Sequence, residues 1–433
     1  MKIFSSAALS LAMVLLTPIV SSALETRTWQ NLKGQTFEAE LVRVDGDKVV
    51  LRGKDGREVA VKKSELSKGD LDYIAEVAPK TGGLPFGDSG PKKPGEVPNP
   101  AKVAKIDTKA FVKKQEVFEL DQPSHQFMIL ETPHFWVLHA EKTDAKDVAE
   151  TAERVWLDMN FFHPSFNQKF QNRRMAIFLV EDDETFNDIG TWQANMVMKS
   201  GGGDPRAKQQ ADRIVATWPH AASGDISLNQ EIMDKYSLIQ HARVFRNYEK
   251  KGKREEKVKG VWVPFRVHCL ASDMVDIQSG GVTEFGKKGY YALTTGHAYF
   301  KEIQLTGRSE TVKLRADGSD NQVSNTGGFQ NSRDWPDELK KLIRKKDLVP
   351  TIDALYELDL FSAKAETNAL AFAFARFLQS NVDRIAAWAK LIEQIEISHQ
   401  VPEKEDLAKI MGFADAKAME TAWVDWMKSS DFK

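Results

Sequence analysis

Residues 76–107 decide how this chain can fold. Pro79, Pro85, Pro91, Pro94, Pro98 and Pro100 alternate there with Gly82, Gly83, Gly87, Gly90 and Gly95. Large apolar residues are nearly absent, so the stretch cannot bury a core and reads as an extended tether. A single hydrophobic core cannot run through it. The chain must instead form separate bodies, a short one before the tether and a long one after it. Its 433 residues, 42% hydrophobic and 28% charged, are enough for two or three ordinary globular domains.

The formal net charge of -2 supplies no basic field, so nucleic acid is not an expected partner. The N-terminus reads as a secretory signal over residues 1–23. Lys2 gives the positive start, Ile3 to Val20 is apolar, and Ser21-Ser22-Ala23 offers a cleavage site. An uncleaved anchor is the alternative. After cleavage no stretch is long and apolar enough for a membrane span. The expected location is therefore the periplasm, the cell envelope or outside the cell. Cys269 is the only cysteine, so no internal disulfide can form and stability must come from packing.

Residues 27–75 carry short alternating runs. Phe37, Ala39 and Leu41 alternate with Glu38 and Glu40, then come Val49 with Leu51 and Val59 with Val61. Asp45-Gly46 and Asp55-Gly56 are hairpin signals. Ser67 with Asp70 resembles a helix-starting box. Several short strands in so few residues predict a small SH3-like barrel. Arg27-Thr28-Trp29, Phe37 to Val42, Asp45 to Val49, Ser64-Glu65-Leu66-Ser67, Asp70 and Tyr73-Ile74 resemble the Sla-type homology domain one. That resemblance implies a module that binds protein or peptide ligands.

From residue 108 onward the pattern is mixed. His134–His139 and Met175–Val180 read as strands, the second buried on both faces. Residues 142–162, 225–250 and 290–305 read as helices. After Trp335 helices are expected over 337–344, 351–356, 361–379, 382–397, 404–411 and 414–427. The fold class is thus α+β: a small SH3-like β-barrel tethered to a domain with a mostly helical C-terminal lobe. Between these landmarks lies a helix, Pro264 to Val275, with Val267, Leu270, Ala271 and Met274 on one stripe.

Residues 108–433 resemble the gluzincin-like zinc peptidases, which implies a zincin-like domain. Glu131-Thr132-Pro133-His134-Phe135 looks like the opening strand of that family, and Met175 to Val180 like the second. Tyr290 to Glu302 looks like its second metal helix, and Trp423-Val424-Asp425-Trp426 like its closing helix. The resemblance puts His268 at the first zinc ligand, Cys269 at the water-activating glutamate, Ser272 at the second histidine and Thr295 at the third ligand. Catalytic zinc needs three protein ligands and an open position, and one imidazole with two hydroxyls is too weak. The base is missing as well. This implies a pseudopeptidase with no catalytic residue, no metal and no cofactor.

Other chemistry uses the same residues. Zinc could return at a rearranged site built on His268 and His297 with a carboxylate such as Asp273 or Glu284, giving an active metallohydrolase or peptidase. Against it, Asp273 lies about 140° round the helix from His268, and His297 about 200° from Thr295. Cys269 beside a histidine could be a nucleophile, but a lone helix cysteine among apolar neighbours more often packs as a small hydrophobe. Gly201-Gly202-Gly203-Asp204-Pro205 reads as a turn, Lys250 to Lys257 as a solvated loop, and the aromatic residues after 335 as core.

Overall fold

The computed structural model describes residues 27–32, 34–45, 48–53, 58–77, 100–120, 125–140, 145–163, 166, 170, 172–246, 262–279, 288–311, 329, 331–359 and 363–433. The expected signal segment 1–23, residues 78–99 of the expected tether, the expected loop 250–257 and Glu284 lie outside them. Chain contacts separate two compact units, Met1–Lys92 and Lys93–Lys433.

In the first unit, β1 (Arg27–Gln30), β2 (Thr36–Asp45), β3 (Lys48–Gly53) and β4 (Glu58–Lys62) form an antiparallel meander in the order 1-2-3-4. Trp29, Ala39, Val49, Leu51, Leu66 and Ile74 make its core. Trp29 is fully buried and satisfies its indole by donating to the Ala39 carbonyl at 2.9 Å. After a 3-10 turn, Leu66 bridges to Asn31, and Ser67 N donates to the Gln30 carbonyl. The chain thus returns from β4 to the end of β1 and curls the sheet. Helix α1 (Lys68–Val77) begins where Ser67 Oγ accepts the Asp70 amide, as the sequence predicted. Two residues read as core are not: Phe37 is 36% and Val59 58% exposed.

The second unit is mixed α+β. A short helix, α2 (Pro100–Val103), leads in and is tied down by Arg154, whose guanidinium donates to the carbonyls of Ala101 and Ala104. β5 (Val112–Leu120), β6 (His125–Glu131) and β7 (Phe135–His139) run antiparallel. β8 (Arg174–Val180) is parallel to β7, β10 (Leu238–Arg246) is parallel to β8, and β9 (Ser223–Ser227) closes the edge antiparallel to β10. The spatial order is 5-6-7-8-10-9.

Alternate residues of the central strands feed opposite cores. Met175, Ile177 and Leu179 join a large cluster with α3 (Lys146–Phe162), α7 (Trp262–Ser279) and α8 (Tyr290–Thr306). Ala176, Phe178 and Val180 join a smaller one with α4 (Asp183–Ser200) and α6 (Gln230–Tyr236). Between α4 and β9 runs α5 (Pro205–Thr217), entered through the expected Gly-Gly-Gly-Asp-Pro turn, with Asp204 capping it. The helical lobe comprises α9 (Trp335–Lys345), α10 (Ile352–Tyr356), α11 (Ala365–Phe377), α12 (Val382–Ser398), α13 (Lys404–Ile410) and α14 (Ala416–Lys428), close to the predicted spans.

A further expectation is overturned. Residues 225–246 are not a helix but the end of β9, the short α6 and β10, and 247–250 lie outside the described residues. Ser237 adopts a left-handed conformation (φ 53°) that stops α6. β10 then lies between β8 and β9, and its mostly buried run lacks the strict alternation that marks a half-exposed strand.

Candidate functional site

Helices α7 and α8 pack together and carry every position singled out from the peptidase resemblance. His268 is buried on α7, and its Nδ1 lies 3.1 Å from Glu302 Oε2 on α8. Its ring meets Tyr299 edge-on, with centroids 4.4 Å apart. Glu302 is fully buried and accepts from Ser309 Oγ, the amides of Glu310 and Thr311, and Thr311 Oγ1, at 2.7–3.1 Å. Its carboxylate therefore pins the chain as it turns back after α8 and orients the imidazole at the same time.

The other positions go elsewhere. Cys269 Sγ sits 3.5 Å from Ser223 Oγ on the edge strand β9. Ser272 and Thr295 are half-buried. His297 faces the helical lobe: its ring stacks on Trp388 at 5.4 Å and its Nδ1 meets Gln379 Nε2 at 3.2 Å. Burial, with the Lys301 charge added, holds the His297 imidazole well below its ordinary range, so it is neutral near pH 7. His268 and His297 thus have separate sets of partners. Among the described residues, no three or more His, Cys, Asp or Glu side chains gather as a metal-holding group.

Asp273 points away from His268, as its helical angle predicted, and meets the sheet. It is fully buried, takes a bidentate contact from Arg243 on β10, and lies 3.1 Å from His241 Nε2. Burial pushes the Asp273 carboxyl up, but Arg243 and then His241 outweigh it and hold the group well below the carboxylate range. Burial disfavours charge on His241, but Asp273 outweighs it and raises the imidazole. One turn on, the Asp276 carboxyl accepts the Tyr290 hydroxyl of α8. Beneath α8, Lys301 Nζ pairs with Asp158 of α3 at 3.1 Å and lies 3.3 Å from the centre of the Phe162 ring. Burial pulls this ammonium down to about 8, despite the raising effect of Asp158.

The first unit has a polar cluster of its own. Arg27 lies over the Tyr73 ring at 3.8 Å and pairs with Asp70 at 2.9 Å. Asp70 also accepts from Ser67 Oγ and the Gln30 amide, so one buried carboxylate ties β1 to α1. Trp29 meets Tyr73 edge-on at 5.8 Å. These are the residues that carried the resemblance in this block.

Residues 21–81 match the family model of SLA1 homology domain 1. Comparison with curated proteins and with solved structures finds no match for the chain. The SLA1 homology domain 1 covers the whole of the first unit's described sheet and α1, and its Trp29, Asp70 and Tyr73 form the internal frame just described.

Sequence reasoning missed Glu302, the Asp273–Arg243–His241 group, Asp276 with Tyr290, and the Asp158–Lys301 pair. A usable signal existed on α8, where Lys301-Glu302 interrupts a helix that is otherwise mostly apolar. Two adjacent charges in such a helix must be partnered to be buried.

Proposed function

We propose that this chain is an exported, non-catalytic protein-binding molecule. An SLA1 homology domain 1, taken as an SH3-like barrel, is tethered to a gluzincin-like pseudopeptidase domain. The family match over residues 21–81 supports the interaction module. The export proposal rests on the Lys2, Ile3–Val20 and Ser21-Ser22-Ala23 pattern.

The observation that carries the pseudopeptidase reading is what stands at the four positions of the resemblance, three of which are altered. His268 serves Glu302, Cys269 approaches Ser223, and Ser272 and Thr295 offer only hydroxyls. Neither a water-activating carboxylate nor a third ligand stands where the resemblance requires one. Beside these positions lies an edge strand, β9, antiparallel to its neighbour and touching α7 through Ser223 and Cys269. An extended peptide can add to a strand edge through main-chain hydrogen bonds without any metal.

One observation favours the rival metallohydrolase with zinc at His268 and His297. A carboxylate on His268 Nδ1 is the second-sphere partner that metal-binding histidines commonly have. Zinc content of the full-length protein, measured after dialysis against a weak chelator, separates the two. Near-zero metal is expected. About one zinc per chain, lost in His268→Ala, would replace this reading with the hydrolase.

A further inference from the structure

Strand β9 has one free side, and its ladder with β10 fixes which groups face that side. The Ala222 carbonyl accepts the Arg246 amide at 3.1 Å, and the Leu228 amide donates to the Gln240 carbonyl at 2.8 Å. Gly224 and Ile226 stand opposite Val244 and Ala242 in the same register, so they also turn their main-chain groups to β10. Ser223, Asp225 and Ser227 alternate with them and turn theirs outward. Gln193 Oε1 of α4 accepts the Ser227 amide at 3.0 Å. Among the described residues, the amides and carbonyls of Ser223 and Asp225 have no partner.

The same alternation puts the Ser223 and Asp225 side chains on the α7 face. Ser223 Oγ meets Cys269 Sγ, and the exposed Asp225 carboxyl lies 4.0 Å from Arg243 Nη1. Arg243 and His241 of β10 both turn to Asp273. Asp276, three residues further along α7, is half-buried and accepts the Tyr290 hydroxyl, with no ion pair of its own among the described residues. Asp225, Asp273 and Asp276 thus outnumber the two cations even with His241 protonated. The Tyr290 hydroxyl favours an ionised Asp276, but burial and then the Asp273 charge push its carboxyl up to about 8, because His241 and Arg243 do not offset them. An added cation would bring it back down.

We infer that β9 takes an extended peptide segment with a Lys or Arg opposite Asp225, the cation lying between the Asp225 and Asp276 carboxylates. This rests on the reading of β9 as a peptide-accepting edge. Side chains directly opposed on neighbouring strands share a face, with Cβ atoms about 4.5–5.5 Å apart. A basic residue opposite Asp225 therefore extends along the α7 face, meeting Asp225 first and Asp276 behind it. An acidic residue there adds a further carboxylate to a face already short of cations, and is refused.

Fluorescence anisotropy of the full-length protein with capped peptides of alternating Thr and Val makes the test, the central residue being Lys, norleucine or Glu. The Lys peptide should bind about fivefold more tightly than the norleucine one, and the Glu peptide more weakly than both. Asp225→Asn with Asp276→Asn should erase the Lys preference and leave norleucine binding unchanged. Ser223→Pro removes an outward amide without touching the β10 ladder, so it should abolish binding of every peptide. Equal binding of the three peptides, or a Lys preference that survives the double variant, would overturn the basic specificity and leave the strand-edge reading standing. Lys-selective binding that survives Ser223→Pro would place the site elsewhere and overturn the inference. Absence of binding by any peptide would instead sink the strand-edge reading itself, and this inference with it. A dimer seen by sedimentation and dissociated by Ser223→Pro would put a second copy on β9 in place of the peptide.

Discussion

The two faces of the six-stranded sheet solve burial in different ways. On the α4 face the core is aromatic and aliphatic, built from Phe178, Phe186, Trp192, Trp218 and Tyr236. Trp218 lies between two glycines: a Cβ at Gly190 or Gly224 would come within 2.4 Å or 2.3 Å of its ring. Its indole is satisfied locally by the Phe186 carbonyl at 2.7 Å. On the α7–α8 face the core is larger, and charged groups lie within it: Asp158, His268, Asp273, Lys301 and Glu302. Shape sets the register of the first face. On the second, each buried charge must find its partner on another element, so polar pairing sets it.

That contrast can be broken most severely at Asp158. Asp158→Ala leaves the fully buried Lys301 ammonium unpaired, and an unfolding titration should show a loss of about 3–5 kcal/mol. Adding Lys301→Met should recover much of it. Failure to recover would mean that the pair does more than neutralise charge. On the opposite face, Gly224→Ala should cost about 1–3 kcal/mol by overpacking against the Trp218 ring. Trp218→Phe should relieve that cost in the double variant, because the clash is steric. A calibration outside both faces is Thr351→Ala, which removes the hydroxyl that accepts the Ala354 amide at the start of α10. Loss of this cap should lower stability by about 1 kcal/mol.

Legibility followed the same division. The lobe after Trp335 was readable because its helices are amphipathic and carry local stop and start signals, such as Asn381 and Asp415 at helix N-caps. Met175–Val180 was readable as a strand buried on both sides. The block 27–75 was readable from its alternation and its Ser67–Asp70 start, although Phe37 and Val59 proved exposed. The β5–β6 hairpin and the strands within 225–250 were not readable. Their burial comes from neighbouring strands, and the interrupted alternation of β5 and the mostly buried run of β10 gave no clear period.

At the candidate site, the sequence identified the helix that carries His268, Cys269 and Ser272, and helical angle alone turned Asp273 away from His268. It could not supply Glu302, 34 residues from His268, or Asp158, 143 residues from Lys301.

By itself, then, the sequence determined what short-range pattern controls: two bodies divided by a Pro/Gly-rich stretch, an SLA1 homology domain 1 ahead of it, and a mixed domain with a helical lobe behind it. Only the tertiary structure decided which buried charges meet. A charge inside a core is tolerable only beside its counter-charge or enough hydrogen-bond donors, and the elements that supply them are brought together by packing rather than by proximity in the chain.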